Sequence, residues 1–243
     1  MADKPTFVAA GDLAVVAEYG NSINPEINAK VRSLMLAIEG DRIPGVVETI
    51  PTYRSLLINY NPMQITYDHL VKKLSEVAVS LDTLEISNPK IIHVPTLYTV
   101  EYGPDLEFVA NHAKMTTEEV IKLHSQTDYP IYMMGFSPGF PYLGGLNKRL
   151  VTPRLQTPRV KIPAGSVGIA EAQTGVYPIA SPGGWRLIGR TPLKMFDPLH
   201  HPPTLFQTGD SIRFVPLDSE EEYLDIAEEI ENERYTPTSE EGR

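Results

Sequence analysis

Apolar and polar residues over the first part of the chain follow two alternating periods. Thr6 to Tyr19 alternates loosely and turns at Gly11-Asp12, which predicts two tightly joined strands. Asn24-Pro25-Glu26 reads as a helix start: a capping side chain, a proline at the first helical position and an acid in the first turn. Ile27, Val31, Leu34, Met35 and Ile38 then fall at helical spacing, with Gly40 as the end. Val46 to Asn59 predicts a strand pair interrupted at Pro51, with Leu56, Leu57 and Ile58 inside. Thr66 caps a second helix reaching about Leu81, whose apolar face is Leu70, Leu74, Val77 and Leu81. Strand, helix, strand, helix gives a small α/β domain over residues 1–88, with Ser87-Asn88-Pro89 as the linker.

A second domain is expected over residues 89–217. Lys90 to Leu97 opens it as a strand, Pro104-Asp105 starts a helix, and Thr116-Thr117-Glu118-Glu119 is a capping box for another helix ending near His124. Tyr129 to Phe136 is a strand. Short strands at Val160–Ile162, Val167–Ile169, Tyr177–Ile179 and Leu187–Gly189, separated by turn residues, indicate a compact β-barrel. Phe206 to Pro216, turning at Gly209-Asp210, supplies its closing strand. Residues 218–243 form an acidic tail of eleven acids against two arginines. Tyr223, Ile226 and Ile230 make a narrow stripe there, so a short helix is expected before disorder near Pro237. The tail reads either as a solvated end or as a cover over basic loops.

Composition sharpens this picture in one place. Ten of the 17 glycines and eight of the 22 prolines lie between Gly135 and Pro192, which excludes long helices and demands tight turns. From Gly135 to Lys194 the cations are Lys148, Arg149, Arg154, Arg159, Lys161, Arg186, Arg190 and Lys194, and the only acid is Glu171, within a chain of net charge −10. A stiff, cation-rich loop scaffold suits an anionic ligand or an acidic partner surface. The rest of the chain argues against general nucleic-acid binding, because it is acidic and has no long basic stripe. No stretch reaches the ~20 apolar residues that cross a bilayer. With no cysteine and no leader-like start, a cytoplasmic protein without disulfides or thiolate chemistry is expected.

Gly135-Phe136-Ser137-Pro138-Gly139 fits the G-x-S-x-G pattern of a serine-hydrolase elbow, but Pro138 lacks the N–H that would help form an oxyanion hole. It is read as a strand-end turn. Acid–base groups are scarce on the scaffold, which leaves His124, just before the strand into it, as the candidate catalytic histidine, with a structural role at the helix end as the other reading. His200-His201 beside Asp197 lies among prolines with no third ligand spacing, so no metal is expected. Arg154, Arg159, Arg186 and Arg190 offer planar guanidinium forks on stiff loops, suited to carboxylate or phosphate. They serve either a ligand or partner, or the chain's own acids; for Arg186 and Arg190 the shortage of local carboxylates favours the former. Tyr142, Tyr177 and Trp185 form either an aromatic wall or core. No P-loop motif is present.

Four blocks, taken in order, carry a family resemblance: Gly135 to Leu146 (GFSPGFPYLGGL), Pro163 to Ile169 (PAGSVGI), Gln173 to Pro178 (QTGVYP) and Ser181 to Pro192 (SPGGWRLIGRTP). They resemble the group comprising the B-type subunit of bacterial 5-oxoprolinase, the first subunit of allophanate hydrolase and the Kip-type inhibitor of a sporulation histidine kinase. The resemblance spans roughly residues 7–216 and departs at Thr99–Asp105, where many relatives carry a second glycine pair. It implies an α+β chain with a cyclophilin-like β-barrel as its second domain. It also implies a component that acts with A-type and C-type partners to hydrolyse 5-oxo-L-proline to L-glutamate with ATP cleavage; with so few acid–base groups on its scaffold, the chain is expected to be inactive by itself. A non-catalytic kinase inhibitor and an isolated peptide binder are the alternatives. Gln173 and Tyr177 join the four arginines as the candidate substrate- and anion-binding set.

Overall fold

The computed structural model describes residues 4–80 and 89–242. The chain divides into two compact units, Met1–Ser87 and Asn88–Arg243. The expected helix end at Leu81 and most of the 87–89 linker lie outside the described residues. No described helix is long and apolar enough to cross a membrane.

The first unit contains β1 (Thr6–Ala9), β2 (Ala14–Glu18), α1 (Pro25–Asp41), β3 (Val46–Pro51), β4 (Ser55–Tyr60) and α2 (Tyr67–Ser80). Its strands form one antiparallel sheet in the order β1-β2-β4-β3. Alternation puts Val15, Ala17, Leu56 and Ile58 on one face, where they bury Ile27, Val31, Leu34 and Ile38 of α1 and Leu70 and Leu74 of α2. Asn24 caps α1 as expected, its side chain accepting from the Ile27 N–H at 2.8 Å. Gly40 does not end the helix: α1 runs to Asp41, and Arg42 takes the left-handed conformation at φ 44°.

The second unit runs β5 (Lys90–Thr96), α3 (Leu106–Ala113), α4 (Thr117–Ser125), β6 (Tyr129–Met134), β7 (Pro141–Leu143), β8 (Arg159–Ile162), β9 (Ser166–Ala170), β10 (Gln173–Val176), β11 (Ser181–Gly183), β12 (Arg186–Arg190), β13 (Ser211–Pro216), α5 (Glu220–Glu231) and β14 (Ser239–Glu241). A single 3-10 turn at Lys148–Leu150 follows β7. Eight strands form one sheet, β12-β9-β10-β7-β6-β13-β5-β14, with β5 and β13 parallel, and β8 pairs separately with β11. The capping box of α4 is complete: the Glu119 N–H donates to Thr116 Oγ1 at 3.2 Å and the Thr116 N–H to Glu119 Oε2 at 2.9 Å.

The sheet is not the closed barrel that the turn spacing suggests. Its first and last strands meet no full ladder; Leu97, one residue past β5, makes a single two-bond bridge to Arg190 at 2.8 and 3.0 Å. Continuing that antiparallel bridge along β12 would need residues 98–101 as a strand, and there the chain turns instead, the Gly103 N–H donating to the Thr99 carbonyl; β14 pairs with β5 at its other end, along Lys90–Ile92. The expected strand at Tyr177–Ile179 is also absent. The β10 ladder ends at Val176, since Pro178 has no N–H to extend it, and the next strand, β11 at Ser181, pairs with β8 instead.

Disorder beyond Pro237 is likewise replaced by β14. Glu240 accepts from Arg213 Nη1 at 2.6 Å, and Tyr235 packs on the large core around Tyr129, Phe206 and Phe214. Deleting residues 234–243 therefore costs about 2 kcal/mol through lost packing and strand bonds, which lowers the melting temperature by roughly 4–8 °C in a chain of this size. A thermal melt of the truncated chain checks this; an unchanged melt means that β14 contributes nothing in solution.

Candidate functional site

The scaffold from Gly135 to Thr191 is organised from outside itself, by Asp105. This residue precedes α3 but does not cap it. Its carboxylate is buried: Oδ2 accepts from the Leu187 N–H at 2.7 Å and forms an ion pair with Arg159 Nη1 at 2.9 Å, and Oδ1 lies 3.6 Å from Arg186 Nη1. The Asp105 N–H returns a bond to the Leu187 carbonyl at 2.8 Å. So close an approach needs Gly103, since a Cβ there would sit 2.1 Å from the Ile188 carbonyl carbon. Arg186 is fixed twice more. Its Nε donates to the Pro153 carbonyl at 3.2 Å, and its guanidinium lies 3.6 Å over the Phe108 ring centroid.

This arrangement corrects the expectation for Arg186. It faces the chain's own acid, as Arg159 does, and both are committed to holding β12 and β8 against the start of α3. Arg190 is differently placed. Its guanidinium is 5.3 Å from the Tyr102 ring centroid, and Tyr102 donates to Glu220 Oε1 at 2.8 Å and meets the ring of Tyr223 of α5 at 4.8 Å, tilted by 57°. The first turn of the acidic helix thus meets Tyr102 beside this arginine. Arg154, Lys161, Lys148, Arg149 and Lys194 are exposed and make no ion pair among the described residues.

Beneath the loops lies an aromatic cluster of Phe140, Tyr177, Trp185 and Leu187 with Ile162, and Tyr142 at its half-buried margin. Phe140 meets Tyr142, Tyr177 and Trp185 edge-on at centroid distances of 5.2, 5.5 and 5.6 Å. Tyr177 is therefore core, and burial pushes its phenol up to about 12. Trp185 is core as well. Gln173 stands half-buried on β10, opposite Ala170. Ser137 Oγ is buried without a hydrogen-bond partner, so no base activates it.

His124 lies in the core, away from any solvent face. Tyr98 donates to its Nδ1 at 2.8 Å, its Nε2–H reaches Thr174 Oγ1 at 2.8 Å, and Thr174 passes its own proton to the Gly168 carbonyl at 3.1 Å. That chain of bonds fixes one neutral tautomer, and Phe214 packs on the ring at 4.6 Å. Burial holds the imidazole down to about 3. The candidate acid–base role gives way to a packing one. Among the described residues no group of three histidines, cysteines or acids is arranged to hold a metal. His200 does lie 3.8 Å from Asp197, in an exposed loop.

Sequence reasoning passed over Asp105 and Phe136. Asp105 pairs with arginines far along the chain, so counting nearby charges could not find it. Only Gly103-Pro104-Asp105, a tight turn after a strand, hinted at a close approach. Phe136 stood inside a motif read for its serine.

With this geometry in hand the class is defined: residues 5–206 match the family described as carboxyltransferase domain, subdomain C and D, and the chain belongs to it. It is similar to the B-type subunit of the 5-oxoprolinase of Bacillus subtilis (strain 168), at 43% identity over 90% of this chain and 95% of that protein. Against the corresponding 5-oxoprolinase component of Escherichia coli O157:H7 it is 42% identical over 85% of this chain and 93% of the relative. The crystal structure of TTHA0988 superposes with a TM-score of 0.76 at 31% identity, covering 85% of this chain. This chain spans 40% of the length of TTHA0988.

Two outcomes are expected. Asp105→Asn removes the shared charge but keeps one acceptor, and we expect a loss of about 2 kcal/mol, given the partial exposure of both arginines; Asp105→Ala costs more, since the Leu187 N–H is then buried unbonded. Arg154→Ala stays within about 0.5 kcal/mol. Urea unfolding of the three variants measures this, and equal losses for Asp105→Asn and Arg154→Ala would contradict it. The second outcome concerns pH. The folded imidazole of His124 stays neutral down to about 3, while the unfolded one takes a proton near its ordinary 6.5. Below that ordinary value the unfolded state binds the extra proton, so stability falls as pH drops. Relative to His124→Gln, the parent should lose about 1.4 kcal/mol per pH unit between pH 6 and pH 4. Parallel stability profiles would mean that the ring is solvated.

Proposed function

We propose that this chain is the B-type subunit of an ATP-dependent complex that hydrolyses 5-oxo-L-proline to L-glutamate, acting with A-type and C-type subunits. The observation that carries the reading is the near full-length likeness to the B-type component of 5-oxoprolinase, 43% identical over 95% of that relative. The same likeness favours the enzyme over the kinase inhibitor. The loop scaffold supports the reading from the chemical side. It presents exposed cations, Arg154 foremost, but His124 is sealed in the core and Ser137 has no activating base. Such a surface can hold an anion and cannot by itself move protons, which is what half of a shared active site requires.

A lactam resists hydrolysis, and transfer of a phosphoryl group from ATP to its oxygen makes both an electrophile and a leaving group. In that chemistry this chain's part is to hold negative charge. Arg154 is placed to contact a phosphate or the substrate carboxylate; Arg159 and Arg186 shape the loops through Asp105; Gln173 and Arg190 border the same scaffold. Tyr177 supports it from beneath. The nucleotide itself is assigned to the assembled complex, since this chain has no P-loop. The cyclophilin-like resemblance of residues 89–217 belongs to the same reading, supported by the sheet's turn back at Leu97 and Arg190. A cytoplasmic location fits a chain without cysteine.

The test is reconstitution. The purified chain alone should release no glutamate from 5-oxo-L-proline with ATP, and adding the A-type and C-type subunits should restore ATP-dependent release. Turnover by the isolated chain would contradict the shared-site reading, and no turnover with all three would remove 5-oxo-L-proline as the substrate.

A further inference from the structure

The turn after β6 holds a side chain in a position that packing alone does not explain. Phe136 is a bulky residue at φ 62°, in the left-handed region where non-glycine residues rarely sit, and it is 66% exposed. The Ser137 N–H donates to the Gly135 carbonyl at 2.7 Å and closes a γ-turn around it. Two further bonds keep the turn shut: the Gly135 N–H to the Phe140 carbonyl at 3.1 Å, and the Phe140 N–H to the Ser137 carbonyl at 3.1 Å. Backbone strain of this kind persists where the surroundings enforce it, and it concentrates at binding surfaces. Glycine would relieve it at no steric cost, yet an aromatic ring stands there and most of it faces solvent.

The ring does not stand alone. It meets Phe140 edge-on at 5.6 Å, which seats it on the rigid cluster below. Trp185 belongs to that cluster, and the Leu155 N–H donates to the neighbouring Gly184 carbonyl at 2.8 Å, which ties the loop carrying Arg154 to it; the Arg154 charge acts on the phenol of Tyr177, which itself meets Phe140. β8 is tied in through buried Ile162, and Val160, on the same strand face as Ile162, is 91% exposed, while strand alternation turns Lys161 to the opposite face. Arg154 has no acid to answer it among the described residues. Exposed apolar side chains with an unanswered arginine tied to the same cluster have the composition of an interface hot spot rather than of solvated surface.

We propose that Phe136 is the anchor of a docking surface, flanked by Val160 and Arg154, for a partner subunit that presents an apolar socket with an acidic rim. The inference rests on the multi-subunit reading above and names the face through which this chain joins the complex. Charge sets the occupant: Arg154 attracts an acidic face and disfavours a basic one. The γ-turn keeps the ring pre-positioned, so little conformational freedom is lost when it docks.

The experiment compares the parent chain, Phe136→Gly and Arg154→Glu. Each is melted, sedimented alone, and titrated calorimetrically with purified C-type subunit and with A-type subunit of the same organism. For Phe136→Gly we expect a melting temperature equal to or above the parent's, because the strained φ is relieved, together with a loss of affinity of at least about tenfold. Arg154→Glu should keep its melt, bind more weakly, and show a shallower salt dependence than the parent. Retained affinity in Phe136→Gly overturns the proposal while leaving the 5-oxoprolinase reading intact. A melt lowered in step with affinity also overturns it, since the ring would then be part of the core. Parent self-association abolished by Phe136→Gly would assign the surface to a second copy instead. A parent chain that binds neither subunit ends the multi-subunit reading, and this proposal with it.

Discussion

Asp105 carries one buried negative charge that a backbone donor and two arginines share, and the cation-rich loops depend on it. The Leu187 N–H, Arg159 and Arg186 converge on its two oxygens from β12 and β8. Taking a carboxylate out of water is costly, so it is tolerable here only because opposite charge and a backbone donor surround it. The arrangement has two consequences. It pins strands too short and too glycine-rich to hold themselves in place, and it withdraws two of the eight cations from any role at the surface. What the scaffold offers outward is the remainder: Arg154, Lys161 and their neighbours, above an aromatic cluster.

That division explains why the region combines rigidity with little catalytic equipment. His124, which position along the chain made attractive, is spent in the core on a bond relay from Tyr98 to Gly168. Tyr177 and Trp185 support the loops from beneath. Two exposed scaffold residues are held at positive φ, Glu171 and, with the bulkier side chain, Phe136. A scaffold that binds and positions without titrating near neutral pH is suited to completing a site whose acid–base groups come from elsewhere.

Much of the first unit was legible because its elements obey local rules. Asn24 caps, Ile27 to Ile38 keep period, and Leu70 and Leu74 face inward as patterning demands. The capping box at Thr116 is equally local. What failed in the second unit depended on distant partners. Tail residues Ser239–Glu241 pair with the start of β5, and past Leu97 the chain turns at residues 99–102 instead of running beside β12, so the sheet stayed open where turn spacing alone implied closure. Arg186 found Asp105, which no count of neighbouring charges could reveal. His124 looked available because sequence shows spacing and not depth. At Phe136 the chain departs from its own local preference, and such a departure is visible only once backbone angles are known.

The central claim is that the loop cations are split between an internal lock at Asp105 and an outward docking face at Phe136 and Arg154. Amide hydrogen exchange on the chain alone and with its A-type and C-type subunits tests that split most directly. The account predicts slow exchange of the Leu187 amide in both states, and new protection on assembly at residues 135–140 and 154–162. Fast exchange at Leu187 in the free chain, or assembly protection confined to α5 with none at residues 135–140, would contradict it.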